Sequence, residues 1–170
     1  MHQSQRIVYR MDQVKKYVPP FEALEKLKRY CSVQERSYKA VREKLYNWGL
    51  KPDQVDNIIV ELISENYLSE QRFAEAYASG KFKIKSWGRR KIVQGMKQLD
   101  ISEACISIAM EQVAEDDYEA RLEHWIEKRA KLEKGLPIFE TRGRVARYLI
   151  NKGYEPEIVW DKVKTLIDQS

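Results

Sequence analysis

His124 stands close to Glu123 and Glu127, and Asp116 and Asp117 are neighbouring carboxylates. Those are the residue types of general acid–base chemistry. No cysteine or serine near His124 has the spacing of a nucleophile with its base, and a lone histidine on a charged helix is ordinarily a surface residue. One of Asp116 and Asp117 is expected to cap a helix beginning near Tyr118, where the helix dipole favours negative charge. Lys134-Gly135 lacks every other element of a phosphate-binding loop. The two cysteines, Cys31 and Cys105, make neither a disulfide framework nor a CxxC metal or redox motif. No enzyme, cofactor or metal is expected.

Binding chemistry is better represented. The chain carries 31 basic and 26 acidic side chains, and they are unevenly placed. Residues 69–99 hold eight basic and two acidic side chains, and residues 100–119 hold seven acidic and none basic. A swing of that size between adjacent segments concentrates a field that a scattered net charge of +5 would not. Lys81, Lys83 and Lys85 lead into Trp87-Gly88-Arg89-Arg90-Lys91, with Lys97 further along the same helix. Amides at a helix N-terminus together with cations suit a phosphate or an acidic side chain. Arg142, Arg144, Arg147 and Lys152 repeat the theme, and Lys39, Arg42 and Lys44 do so more weakly. Trp87 and Tyr77 are rings of a kind that stacks on bases, but aromatics at helix joints usually pack, and Trp87 is expected to cover a junction.

The elements that must hold these side chains are helical. Ala23, Leu24, Leu27, Tyr30 and Cys31 share one helix face, as do Val41, Leu45 and Trp48, then Val55, Ile58, Ile59, Leu62 and Ile63. Comparable stripes follow through Phe73–Ala78, Ile92–Leu99, Ile106–Val113, Tyr118–Ile126, Val145–Leu149 and Val159–Leu166. Strand-like alternation is confined to Ile7-Val8-Tyr9, so nine helices are predicted. The stripe Ile92, Met96, Leu99 faces the core, which leaves most of the 81–91 cations predicted to be solvated. Ser32 with Glu35 has capping-box spacing, and Ser37, Ser69 and Ser102 each precede an apolar run. Pro52 and Pro156 suit a first helical position, and Gly49 and Gly153 suit a left-handed helix end.

Those signals repeat. Leu45-Tyr46-Asn47-Trp48-Gly49-Leu50-Lys51-Pro52 aligns with Leu149-Ile150-Asn151-Lys152-Gly153-Tyr154-Glu155-Pro156, and a weaker copy runs from Met96 to Glu103. The apolar registers match as Val41/Ile92/Val145, Leu45/Met96/Leu149, Leu50/Ile101/Tyr154 and Val55/Ile106/Val159. The prediction is an all-α fold of three tandem three-helix, helix-turn-helix-like repeats, over residues 20–68, 69–115 and 116–170, behind a basic arm at 1–19. Neighbouring units are expected to complete each other's cores.

No apolar run approaches the ~20 residues of a membrane span, and Met1–Arg6 leads into no signal-like stretch. A cytoplasmic, reduced protein without membrane contact, monomeric, is expected.

The segment Tyr67-Leu68-Ser69-Glu70-Gln71-Arg72-Phe73-Ala74, with Trp87-Gly88-Arg89-Arg90-Lys91-Ile92 further on, resembles the RecX family of bacterial regulators of the RecA recombinase. The matching motif positions are Tyr67, Leu68, Glu70, Arg72, Phe73 and Ala74, then Trp87, Gly88, Lys91 and Ile92. Asn66 stands where that family usually has Gly, and Ser69 where it has Asp. The resemblance covers about residues 21–168. It implies an elongated curved array of three-helix repeats that binds the RecA filament on single-stranded DNA and dampens recombinase, ATPase and strand-exchange activity.

Other readings carry different expectations. In a directly DNA-reading helix-turn-helix protein, basic residues would follow each turn, but Lys51-Pro52-Asp53-Gln54 and Glu155-Pro156-Glu157 begin those helices with carboxylates. A structural adaptor without nucleic-acid contact would have no use for the 81–97 cations.

Overall fold

The computed structural model describes residues 17–168. Ile7-Val8-Tyr9 and most of the expected basic arm lie outside the described residues. Nine helices are described: α1 Pro20–Val33, α2 Tyr38–Asn47, α3 Pro52–Ser64, α4 Glu70–Lys85, α5 Arg89–Gln98, α6 Glu103–Met110, α7 Glu115–Leu132, α8 Ile138–Asn151 and α9 Pro156–Asp168. Ser37, Ser69 and Ser102 cap α2, α4 and α6, each side chain accepting a hydrogen bond from the amide three residues on. Pro52 and Pro156 open α3 and α9, where a missing N–H is harmless.

Two expected caps are corrected. Ser32 lies in the last turn of α1 and donates to the Arg29 carbonyl, because α1 runs on to Val33. Asp116 and Asp117 sit inside the first turn of α7 rather than before it; Ala114 precedes the helix, and the carboxylates complement its dipole without bonding an amide.

The helices group as α1–α3, α4–α6 and α7–α9, and the second-to-third helix turn is built alike in each. Leu50 N–H donates to Leu45 O, Ile101 N–H to Met96 O and Tyr154 N–H to Leu149 O. One residue earlier, Gly49, Asp100 and Gly153 take φ of +80°, +59° and +94°. Glycine suits that left-handed conformation, and aspartate tolerates it better than most residues. All twelve residues of the matched apolar registers are buried. The first helices align as well: Ala23, Leu27 and Cys31 of α1, Ala74, Ala78 and Phe82 of α4, and Tyr118, Leu122 and Ile126 of α7 are all buried. The stripes are narrower than predicted at their edges. Ile63 is exposed and Trp48 half-buried.

The expectation that every unit completes its neighbour's core holds at one joint only. The second and third units share one hydrophobic core, from Ala74 to Ile167. The first unit has its own, from Val18 to Leu68. The reason lies at one aligned position. Tyr118 of the third unit reaches back to Phe82, with ring centroids 6.0 Å apart, and across to Tyr154 at 5.1 Å. Its counterpart in the second unit is Ala74, and the counterpart of Phe82 in the first unit is Cys31, so among the described residues no such ring pair spans the first joint. The first joint is polar instead: Arg72 Nε donates to Glu35 Oε1 at 2.8 Å, and Lys39 Nζ donates to Gln98 O at 2.9 Å and pairs with Asp100.

Candidate nucleic-acid interface

At the joint of the second and third units the chain passes from α4 to α5 through Ser86-Trp87-Gly88. Gly88 N–H donates to Lys152 O at 2.9 Å, and Arg90 N–H donates to Gly153 O at 3.0 Å. The two glycines let the backbones meet. A Cβ on Gly88 would lie 2.2 Å from Gly153 C, and one on Gly153 would lie 2.2 Å from Lys91 Cβ. The expected junction role of Trp87 therefore holds: the half-buried ring packs at the edge of the shared core.

The joint divides the 81–97 cations by what holds them. Arg89 is half-buried and engaged, which corrects the expectation of a solvated side chain there. Its guanidinium donates to Glu115 Oε2 at 2.8 Å and to Val113 O, and it lies 4.1 Å from the Tyr118 ring centroid. Burial is the largest single influence and opposes its charge, but the Glu115 hydrogen bond together with the nearby charges of Glu115, Tyr118 and Glu155 leaves its pKa raised; the same bond lowers that of Glu115. The Arg89 N–H also donates to the Tyr118 hydroxyl, which donates to Glu155. Burial, then that bond to Glu155, raises the Tyr118 hydroxyl far above its usual range, and burial pushes Tyr154 up to about 12. This network locks a joint.

Arg90 is exposed and shares a shallow groove with Gln94 and Lys97, the last paired with Glu103 at 2.8 Å. Lys83 and Lys85 are exposed on the last turn of α4. On α8, Arg144 pairs with Glu133 at 3.3 Å, Arg142 is half-buried and Arg147 is exposed. The predicted cations thus do not form one cluster.

A second arrangement joins Lys81, Trp87, Lys91 and Lys152, all named from the sequence, to Trp125 and Lys128, which were not. Lys81 Nζ lies 4.7 Å and Lys91 Nζ 4.8 Å from the Trp87 ring centroid. Across the joint, Lys152 Nζ lies 4.8 Å and Lys128 Nζ 4.7 Å from that of Trp125, whose neighbour Tyr148 is 6.0 Å away. The two halves are tied together: Lys91 Nζ donates to Asn151 O, and Lys152 Nζ donates to Lys85 O. Among the described residues none of Lys81, Lys91, Lys128 and Lys152 is paired with a carboxylate. For the missed half, the Trp125/Lys128 spacing of three is the local signal that was available; Lys152 joins Trp125 only through the fold.

Several motif residues of the resemblance pack within the fold. Asn66 takes φ +63°, which explains why glycine suits that site. Leu68, Ala74 and Ile92 are buried, Phe73 stacks toward Tyr77, and Lys28 lies over the Tyr67 ring. Arg72 holds Asn66 and Glu35.

Residues 69–110 match the RecX second three-helix domain and residues 115–163 the RecX third three-helix domain, together more than half of the chain. The chain belongs to the RecX family. The regulatory protein RecX of Bacillus licheniformis is 29% identical over 131 residues, covering 76% of this chain and 49% of that protein. That of Streptococcus uberis is 28% identical over 130 residues, covering 76% and 50%. The chain thus spans about half the length of these RecX relatives. The crystal structure of RecX from Lactobacillus salivarius shares the fold, with a TM-score of 0.79 at 19% identity, covering 89% of this chain and 97% of that one.

Proposed function

We propose that this chain is a regulator that binds the RecA filament on single-stranded DNA and dampens its ATPase and strand-exchange activity in recombinational DNA repair. It acts by occupancy and not by catalysis, as a cytoplasmic monomer without membrane contact. The observation that carries this reading is the joint of the second and third units, where Lys81, Lys91, Lys128 and Lys152 gather around Trp87 and Trp125 and form no ion pair with a carboxylate among the described residues. A filament groove presents acidic protein surface and phosphates together, and a joint with uncompensated lysines suits both. Its relatives carry the name regulatory protein, which supports a role in control. Among the described residues no helix is long and apolar enough to cross a membrane.

Direct reading of duplex DNA through α3 or α9 is disfavoured. Both helices open on a proline and a carboxylate, and Glu155 before α9 is already engaged by Tyr118. The test is retention of the full chain on RecA-coated against bare single-stranded DNA. Retention well above that on bare DNA is expected; equal retention on both would remove RecA from the account.

A further inference from the structure

Several cations of this protein are spent on internal ion pairs. Arg42 pairs with Asp56, Arg72 with Glu35, Arg89 with Glu115, and Lys162 with both Glu119 and Glu123. The lysines around Trp87 and Trp125 differ. Rings and backbone carbonyls hold them in place, which fixes position without neutralising charge. Lys152 shows the consequence: burial lowers its pKa, and no carboxylate opposes the shift. A neighbouring anion would relieve that penalty.

We propose that the strip running from Trp87 to Trp125 across the joint of the second and third units is a track for single-stranded DNA, with Lys81, Lys91, Lys128 and Lys152 taking successive phosphates and the two indoles taking bases. The proposal rests on the reading above and specifies which part of the filament the chain touches. An acidic protein surface would satisfy the ammonium groups but would have no use for rings set between them. A duplex would meet the lysines but keeps its bases stacked inside. A single strand offers both phosphates and free base faces, and stacking of bases on aromatic side chains needs no particular sequence. In the free protein the ammonium groups lie over the indoles; a phosphate that draws a lysine outward frees the ring face for the adjacent base. The joint is rigid where this matters, since the glycine contact at Gly88 and Gly153 and the shared core fix one half of the strip relative to the other.

Fluorescence anisotropy of the full chain with a labelled 20-mer of thymidylate, and with an abasic 20-mer of equal charge, tests the track. Four phosphate contacts on a single strand give a log–log salt slope of about −2.8, at roughly −0.7 each. The abasic strand is expected to bind ~10-fold more weakly, because it keeps the phosphates and loses the bases. Replacing Lys81→Gln with Lys128→Gln, both surface positions, should bring the slope to about −1.4. Lys51→Gln with Lys164→Gln removes the same charge from exposed lysines off the strip and should leave it unchanged. Equal affinity for the two strands, or equal loss from the two pairs, would overturn the track. Retention on RecA-coated DNA without binding to the thymidylate strand would overturn it while leaving the proposed function standing. Thymidylate binding with the expected slopes but no preference for the RecA-coated strand would support the track and refute the filament reading.

Discussion

Adding one methyl group at residue 88 tests the joint of the second and third units. In Gly88→Ala the new Cβ meets Gly153 C and Tyr154 N at 2.2 Å and Gly153 O at 2.3 Å. All three are backbone atoms, so no rotamer change relieves the overlap and the strands of chain must separate by an ångström or more. Separation loses the Gly88–Lys152 and Arg90–Gly153 hydrogen bonds, each contributing ~0.5–1.5 kcal/mol. It also disturbs a packed core, where a misfit of this kind costs ~1–3 kcal/mol. The sum is about 2–6 kcal/mol. For a domain of this size each kcal/mol moves Tm by ~2–4 °C, so the melting temperature by circular dichroism should fall by ~4–24 °C. Gly80→Ala is the matched control. Gly80 lies inside α4 with nothing within 4 Å of a new Cβ, and the substitution should stabilise by ~0.5–1 kcal/mol through helix propensity. A Gly88→Ala protein that melts with the wild type would refute the close backbone contact and, with it, the fixed geometry of the strip.

Arg89→Glu should destabilise by ~2–3 kcal/mol, since it sets a carboxylate against Glu115 and the Val113 carbonyl, while Arg90→Glu on the exposed side should change stability by under ~0.5 kcal/mol; urea denaturation of both single variants separates them. Leu45→Ala, at a fully buried position of the first unit, should lose ~2–5 kcal/mol by the same assay. Glu115 has its pKa lowered by Arg89, so its folded value lies below its unfolded one. Its contribution is complete above the unfolded value, near 4.5, and is lost as pH falls from there through the folded value. Tm measured between pH 6 and pH 3 should therefore fall less steeply for Glu115→Gln than for the wild type.

The helices and their repeat were legible because each is written locally. Apolar spacing, Ser37, Ser69 and Ser102 at caps, and Gly49 and Gly153 at turns all act within a few residues of themselves. The contrast between the two joints was not legible, although its cause is a residue type: only the alignment of Ala23 and Ala74 with Tyr118 shows that one joint has the Phe82–Tyr118 ring pair where the other has Cys31 and Ala74. Arg89 looked like its neighbours Arg90 and Lys91 because its partner, Glu115, lies on another helix, and consecutive helix positions point about 100° apart. The strip escaped for the same reason. Trp87 and Lys91 lie in one unit and Trp125 and Lys152 in the next, and only packing of Gly88 against Gly153 brings them side by side.

Regulation of RecA is the central claim, and RecA's own ATPase activity on single-stranded DNA reads it most directly. Hydrolysis is followed as the full chain is titrated in, with Lys81→Glu plus Lys85→Glu as the comparison. These α4 lysines face no carboxylate among the described residues, so their reversal leaves the fold intact. The wild-type chain should suppress hydrolysis progressively, and the reversed pair should need about ten times more protein for the same effect. Undiminished hydrolysis at saturating wild-type chain would contradict the account.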